Sequence, residues 1–172
     1  MKLVRLNKSD GTWDKLKTLW LEECKTYDED FEAYAQASLG TLEDECDDEA
    51  VDENTGVFAL EDNYEKYHAV CFLNNTPLKG YQGNVLRVRH LVLSPYYDFE
   101  DLELEDYSGI LSDYFVSLVE CSNDTLVSKH IKIHYRSPYD RTFFAAFGMS
   151  MRSTGRFQAI ESKGMWLHLT KS

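Results

Sequence analysis

The strongest periodic signal lies at residues 107–121, YSGILSDYFVSLVEC, where Ile110, Leu111, Tyr114, Phe115, Leu118 and Val119 recur at the spacing of one helix face. This stretch is flanked by two runs of strand-like alternation, VLRVRHLVL at 85–93 and KHIKIHYR at 129–136. A helix that must bury a wide apolar stripe between two strands needs a sheet to pack on, so the chain is constrained to a mixed α/β architecture.

The rest of the chain extends that order. Residues 2–6 alternate as a short strand. TWDKLKTLWLEECKTY then places Trp13, Leu16, Leu19, Trp20 and Cys24 at helical spacing, and a second helix is expected from Glu29 to about Leu39, with Gly40 as its stop. Strand runs GVFALED and YHAVCFLNN precede VLRVRHLVL, forming an expected antiparallel meander. A helix through RTFFAAFGM and a closing strand pair, RFQAIES and MWLHLTK, turn around Lys163 and Gly164. At 172 residues this suits a single domain spanning 1–172.

Charge is unevenly placed. The net charge is −12, which argues against direct nucleic-acid binding, because that binding draws its energy from Lys and Arg displacing counterions. Residues 28 to 54 hold twelve acids and no Lys or Arg. An exposed acidic loop is expected at about 41–55, and an acidic insertion at about 96–106 carries Asp98, Glu100, Asp101, Glu103, Glu105 and Asp106. Residues 125–172 reverse the sign, with eight bases against Asp140 and Glu161. Such polarity favours a charged protein partner or self-complementary packing, a possible homo-oligomer, over an evenly solvated surface.

Other classes find no support. The cysteines Cys24, Cys46, Cys71 and Cys121 lie far apart without CxxC or Cys/His pairing, so neither a metal site nor a disulfide framework is expected. Asp52 and Asn54 have calcium-ligand spacing, but Gly56 falls one position early for an EF-hand. No signal-peptide core or roughly 20-residue apolar span occurs, so no membrane association is expected and a cytoplasmic protein is.

In its order of elements the whole chain resembles the GNAT superfamily of N-acetyltransferases. Local support comes from LSP at 93–95, the long helix from 107, and SPYDRTFFAAFGM at 137–149. The resemblance implies a GNAT-like fold: a mixed, mostly antiparallel central sheet flanked by about four helices. It further implies an acetyl-CoA pyrophosphate held by a Q/R-x-x-G-x-G/A loop at a helix N-terminus, where unpaired N–H groups and the helix dipole favour an anion. In this sequence Glu103 falls at the basic or amide position, Asp106 at the first glycine and Ser108 at the second, and Phe144 stands where the family's tyrosine protonates the leaving thiolate.

The expected reading is therefore a degenerate GNAT-fold protein, similar to small bacteriophage gene products, acting as a non-catalytic interaction or assembly module with no cofactor. Such a source would put it in the host cytoplasm or the virion. Two alternatives stand beside it. One is an acetyl-CoA-dependent N-acyltransferase acting on a cationic amine, with His90 and Tyr139 catalytic and Leu93, Ser94, Ser108 and Gly109 at the cofactor. The other is an acidic decoy for a basic protein surface. Lys132, His134 and Arg136, on one face of the 129–136 strand, are candidate interaction residues, able to pair with an acidic cluster of a second copy.

Overall fold

The structure is a computed structural model that describes residues 1–46, 52–135, 138–152 and 155–172, without the side chains at 138–140, 149 and 150. Its elements run β1 (Lys2–Leu6), α1 (Thr12–Thr26), α2 (Phe31–Ser38), α3 (Gly40–Glu45), β2 (Thr55–Glu61), β3 (Tyr67–Pro77), β4 (Asn84–Leu93), α4 (Pro95–Phe99), α5 (Leu104–Cys121), β5 (His130–His134), α6 (Pro138–Arg152), β6 (Phe157–Lys163) and β7 (Trp166–Lys171). The strands form one seven-stranded sheet in the order β1-β2-β3-β4-β5-β7-β6. The pairs β1–β2, β5–β7 and β6–β7 are antiparallel, whereas β4 and β5 run parallel with Arg87 opposite Lys132. This is the mixed, mostly antiparallel sheet the sequence led us to expect.

Among the described residues six helices form where about four were expected, because two segments read as loops contain short helices. Gly40 does not end the helical region: Leu39, in helical conformation, both closes α2 and opens α3. Pro95 starts α4, a position where its fixed φ and missing N–H suit a helix. The acidic loop expected at 41–55 is therefore helical to Glu45, and its residues 47–51 lie outside the described residues.

The chain divides into two compact units, residues 1–72 with 90–120, and residues 73–89 with 121–172. In the first unit, Trp13, Leu16, Trp20 and Cys24 of α1 are fully buried at helical spacing, and share a core with Val57, Val70, Phe72 and Val92. Gly11, at φ 78, turns the chain into α1, and Asp10 accepts from the Thr12 N–H at 3.0 Å. The Trp20 indole N–H donates to the Tyr67 carbonyl at 2.8 Å, so this large apolar side chain is buried with its polar atom satisfied. On α5, Ile110, Tyr114, Phe115 and Leu118 are buried as the periodicity required, with Leu111 and Val119 at the margin.

In the second unit, α6 lies on β6 and β7 at close range, since a Cβ built on Gly148 would sit 2.9 Å from Ile160 Cγ2. Phe144 of the same helix is buried and stacks on Tyr135, with ring centroids 6.0 Å apart. Along β5 the burial alternates, Ile131 and Ile133 inward and His130, Lys132 and His134 half-exposed, as period 2 dictates.

Candidate functional site

Within the first unit, the end of β4 and the start of α5 carry most of the residues expected at a cofactor. His90 is exposed and takes a left-handed backbone, φ 52, a rare conformation for a residue other than glycine. The Leu93 carbonyl accepts from the Tyr34 hydroxyl at 2.8 Å. Ser94 donates its N–H to the His68 carbonyl at 3.0 Å and precedes α4; its Oγ is buried with no hydrogen-bond partner.

Beyond α4 the loop is short and α5 begins at Leu104, three residues before the expected start. Asp106 folds its carboxylate back onto the Glu103 N–H at 3.2 Å, in the manner of a capping box, while Glu105 and Asp106 occupy the first helical turn. Ser108 and Gly109 thus sit inside the helix. The Ser108 hydroxyl donates to the Glu105 carbonyl at 2.9 Å, and Gly109 faces open space.

A cluster that sequence reading missed lies nearby in the same unit. Asp62 Oδ2 and His68 Nε2 are 3.0 Å apart, and His68 Nδ1 is 3.2 Å from the Tyr97 hydroxyl. Burial would raise Asp62, but hydrogen bonds from His68 and from the Lys66 and Tyr64 N–H groups prevail and hold its carboxyl below the usual range. Burial pushes the Tyr97 hydroxyl up to about 12, so it stays protonated and can donate. These residues come from a turn, a strand and a helix, with no local motif to announce them.

The second unit presents a different surface. Lys132 and His134 of β5 converge on Trp166 of β7: the Lys132 ammonium lies 4.7 Å from the Trp166 ring centroid, and the His134 ring 4.7 Å away, edge-on. The Arg89 guanidinium lies 5.7 Å from the same ring. Register places Arg87, Lys132 and His168 side by side across β4, β5 and β7. Tyr81 covers one margin, its hydroxyl 2.6 Å from His168 Nδ1 and its ring 4.9 Å from that of His130. Of the expected interaction residues Lys132 and His134 are thus brought together; Arg136 and the Tyr139 side chain lie outside the described residues.

This face is electrically frustrated. Burial lowers Lys132, and Arg87 and Arg89 lower it further; burial, then Arg89, lowers Arg87. Arg87 donates to Asn74 and to Thr76 Oγ1 at 3.1 Å, yet its Nε is buried with no partner. Among the described residues, no ion pair involves Arg87, Arg89 or Lys132, and the nearby acid Glu161 is paired with Lys163. By sequence the first unit has 27 acids against 7 bases, a net of −20, and the second has 3 acids against 11 bases, a net of +8.

Among the described residues no group of His, Cys, Asp and Glu converges as metal ligands do, and no helix is long and apolar enough to cross a membrane. No protein-family model matches the sequence, and no curated protein matches it. Solved structures do match. A histone acetyltransferase-related acetyltransferase from Corynebacterium glutamicum is 8% identical, covering 99% of this chain and 96% of its own, with a TM-score of 0.50. A ribosomal-protein-alanine N-acetyltransferase from Brucella melitensis is 14% identical over 86% of this chain and 91% of its own, TM-score 0.46. An acetyltransferase of the GNAT family from Staphylococcus aureus is 10% identical over 99% and 97%, TM-score 0.39. At these identities the likeness is one of fold alone, carried by the Corynebacterium structure: the chain has the fold of the GNAT acetyltransferases.

Proposed function

We propose that this GNAT-fold chain is a degenerate member of that class, a protein-interaction module that does not use acetyl-CoA. The observation that carries the reading is the α5 N-terminus, where the Asp106 carboxylate accepts from the Glu103 N–H and Glu105 shares the first turn. The GNAT resemblance would seat a pyrophosphate there. A carboxylate within about 5 Å of a phosphate costs around 1 kcal/mol in water-like surroundings and more at lower dielectric. A helix terminus returns only roughly 0.3–1 kcal/mol per charge. Asp101, Glu103, Glu105 and Asp106 together outweigh that gain.

Two further features agree. Gly109 lies in the second turn of α5, where its N–H belongs to the helix and its missing side chain leaves space that no close backbone approach requires. Phe144, at the position the resemblance assigns to a proton-donating tyrosine, is buried against Tyr135 and has no ionisable proton. Titration calorimetry of the full chain with acetyl-CoA and with CoA, at low salt with and without magnesium, tests the reading. No heat at millimolar ligand is expected; micromolar binding would overturn it and direct attention to His90 and Tyr139.

A further inference from the structure

We propose that the cationic face around Trp166 binds the acidic segment 100–106 of a second copy of this chain. Three observations on that face define the partner it fits. Arg87, Arg89 and Lys132 are grouped without a counter-ion among the described residues, and the two guanidinium groups disfavour the charge on Lys132. An anion seated among them would relieve that repulsion. The aromatic platform beneath is partly open: Trp166 is half-buried, and Met165 beside it is 40% exposed. A ligand with both negative charge and an apolar anchor therefore suits the face better than an anion alone.

Segment 100–106 of the first unit has that composition. Asp101, Glu103 and Glu105 are exposed and take part in no ion pair among the described residues. Between two of them stands Leu104, 74% exposed at the first position of α5, an unusual place for a large apolar side chain ringed by carboxylates. An exposed apolar side chain inside a polar rim has the layout of an interface, an apolar centre with a polar margin. A two-fold dimer would make this contact twice, the face of each copy meeting the segment of the other. A nucleic acid would offer phosphates to the same cations, but must also approach the net charge of −20 carried by the first unit.

The inference takes the acidic segment as a protein-facing surface, as the proposed function does, but its test is separate. Binding of CoA would sink the interaction-module reading and leave self-association to be decided by sedimentation. The experiment is analytical ultracentrifugation of the full chain at about 0.05 M and about 0.5 M salt, conditions that shorten the screening length roughly threefold. The wild type should self-associate, with an association constant at least about tenfold weaker at the higher salt.

Arg89→Glu/Lys132→Glu and, separately, Asp101→Lys/Glu103→Lys should each be monomeric, and an equimolar mixture of the two should re-form a dimer. The first pair removes like-charge repulsion and the second changes exposed positions, so thermal melts should show both folded. Leu104→Ser should weaken association at both salts alike. A wild type that stays monomeric at low salt, association that survives both charge reversals, or a mixture that fails to assemble would each overturn the proposal. So would a monomeric wild type whose Trp166 face instead binds a single-stranded oligonucleotide.

Discussion

Replacing two helical glycines by alanine should shift stability in opposite directions. Gly109, in α5, is exposed, and a Cβ there meets nothing within 4 Å. Alanine at an exposed helix interior position is favoured over glycine by roughly 0.5–1 kcal/mol, through the smaller backbone entropy lost on folding. Gly148, in α6, is buried, and its added Cβ would fall 2.9 Å from Ile160 Cγ2 and 3.6 Å from Leu167 Cδ1. Ile160 is β-branched and held in β6, so it cannot swing aside as a long flexible side chain would. Overpacking of this kind costs about 2 kcal/mol, against a propensity gain of about 1 kcal/mol, leaving a net loss of about 1 kcal/mol.

For a chain of this length each kcal/mol moves the melting temperature by about 2–4 °C. Gly109→Ala should therefore melt about 1–4 °C above the wild type and Gly148→Ala about 2–4 °C below it. Calorimetric melts of the three full-length proteins at one pH read both effects. A Gly148→Ala protein as stable as the wild type would refute the close α6–β6 packing. A destabilised Gly109→Ala would refute the open helical position, and with it the view that this glycine is not kept for a ligand's approach.

Other expectations follow from individual contacts. Burial, then Lys129, lowers His130; burial, then Lys132 and Lys163, lowers His168. The unfolded chain therefore binds more protons as pH falls below the ordinary value near 6.5, and stability is lost toward acid pH. His130→Asn/His168→Asn should flatten the decline in melting temperature between about pH 7 and pH 5, and an unchanged slope would contradict the assigned burial. Trp20→Phe leaves the Tyr67 carbonyl without its indole donor and should cost about 1–3 kcal/mol in urea unfolding; a loss below about 0.5 kcal/mol would show that bond to be unimportant. Asp30 accepts from the Glu32 N–H at 2.9 Å as the N-cap of α2, so Asp30→Ala should cost about 1 kcal/mol by the same assay.

Elements whose pattern is local were readable from the chain. β1 runs over the expected residues, and the buried stripe of α1 and the alternation of β5 follow directly from periods of 3.6 and 2. The acidic segments misled the reading for a physical reason: Glu105 and Asp106 look like loop residues by composition, yet acids belong in the first turn of a helix, and α5 begins with them. Gly40 was expected to end a helix, but its neighbour Leu39 keeps helical backbone angles and the chain starts α3 at once.

What no pattern could supply was assembly across the sequence. Trp166 looked like one aromatic of a closing strand, and only the β4–β5–β7 register brings Arg89, Lys132 and His134 to its ring. The same holds for Asp62, His68 and Tyr97, whose contacts join a turn, a strand and a helix. Nonlocal pairing creates both groupings, and residue spacing carries no record of it.

The most direct test of the central claim is an amide-resolved NMR titration of the labelled protein with CoA, following residues 103–109 at the start of α5. These resonances should stay in place up to millimolar CoA, because carboxylates already occupy the helix end. Saturable shifts at Asp106, Ser108 and Gly109 would contradict it and show that the helix start binds the cofactor after all.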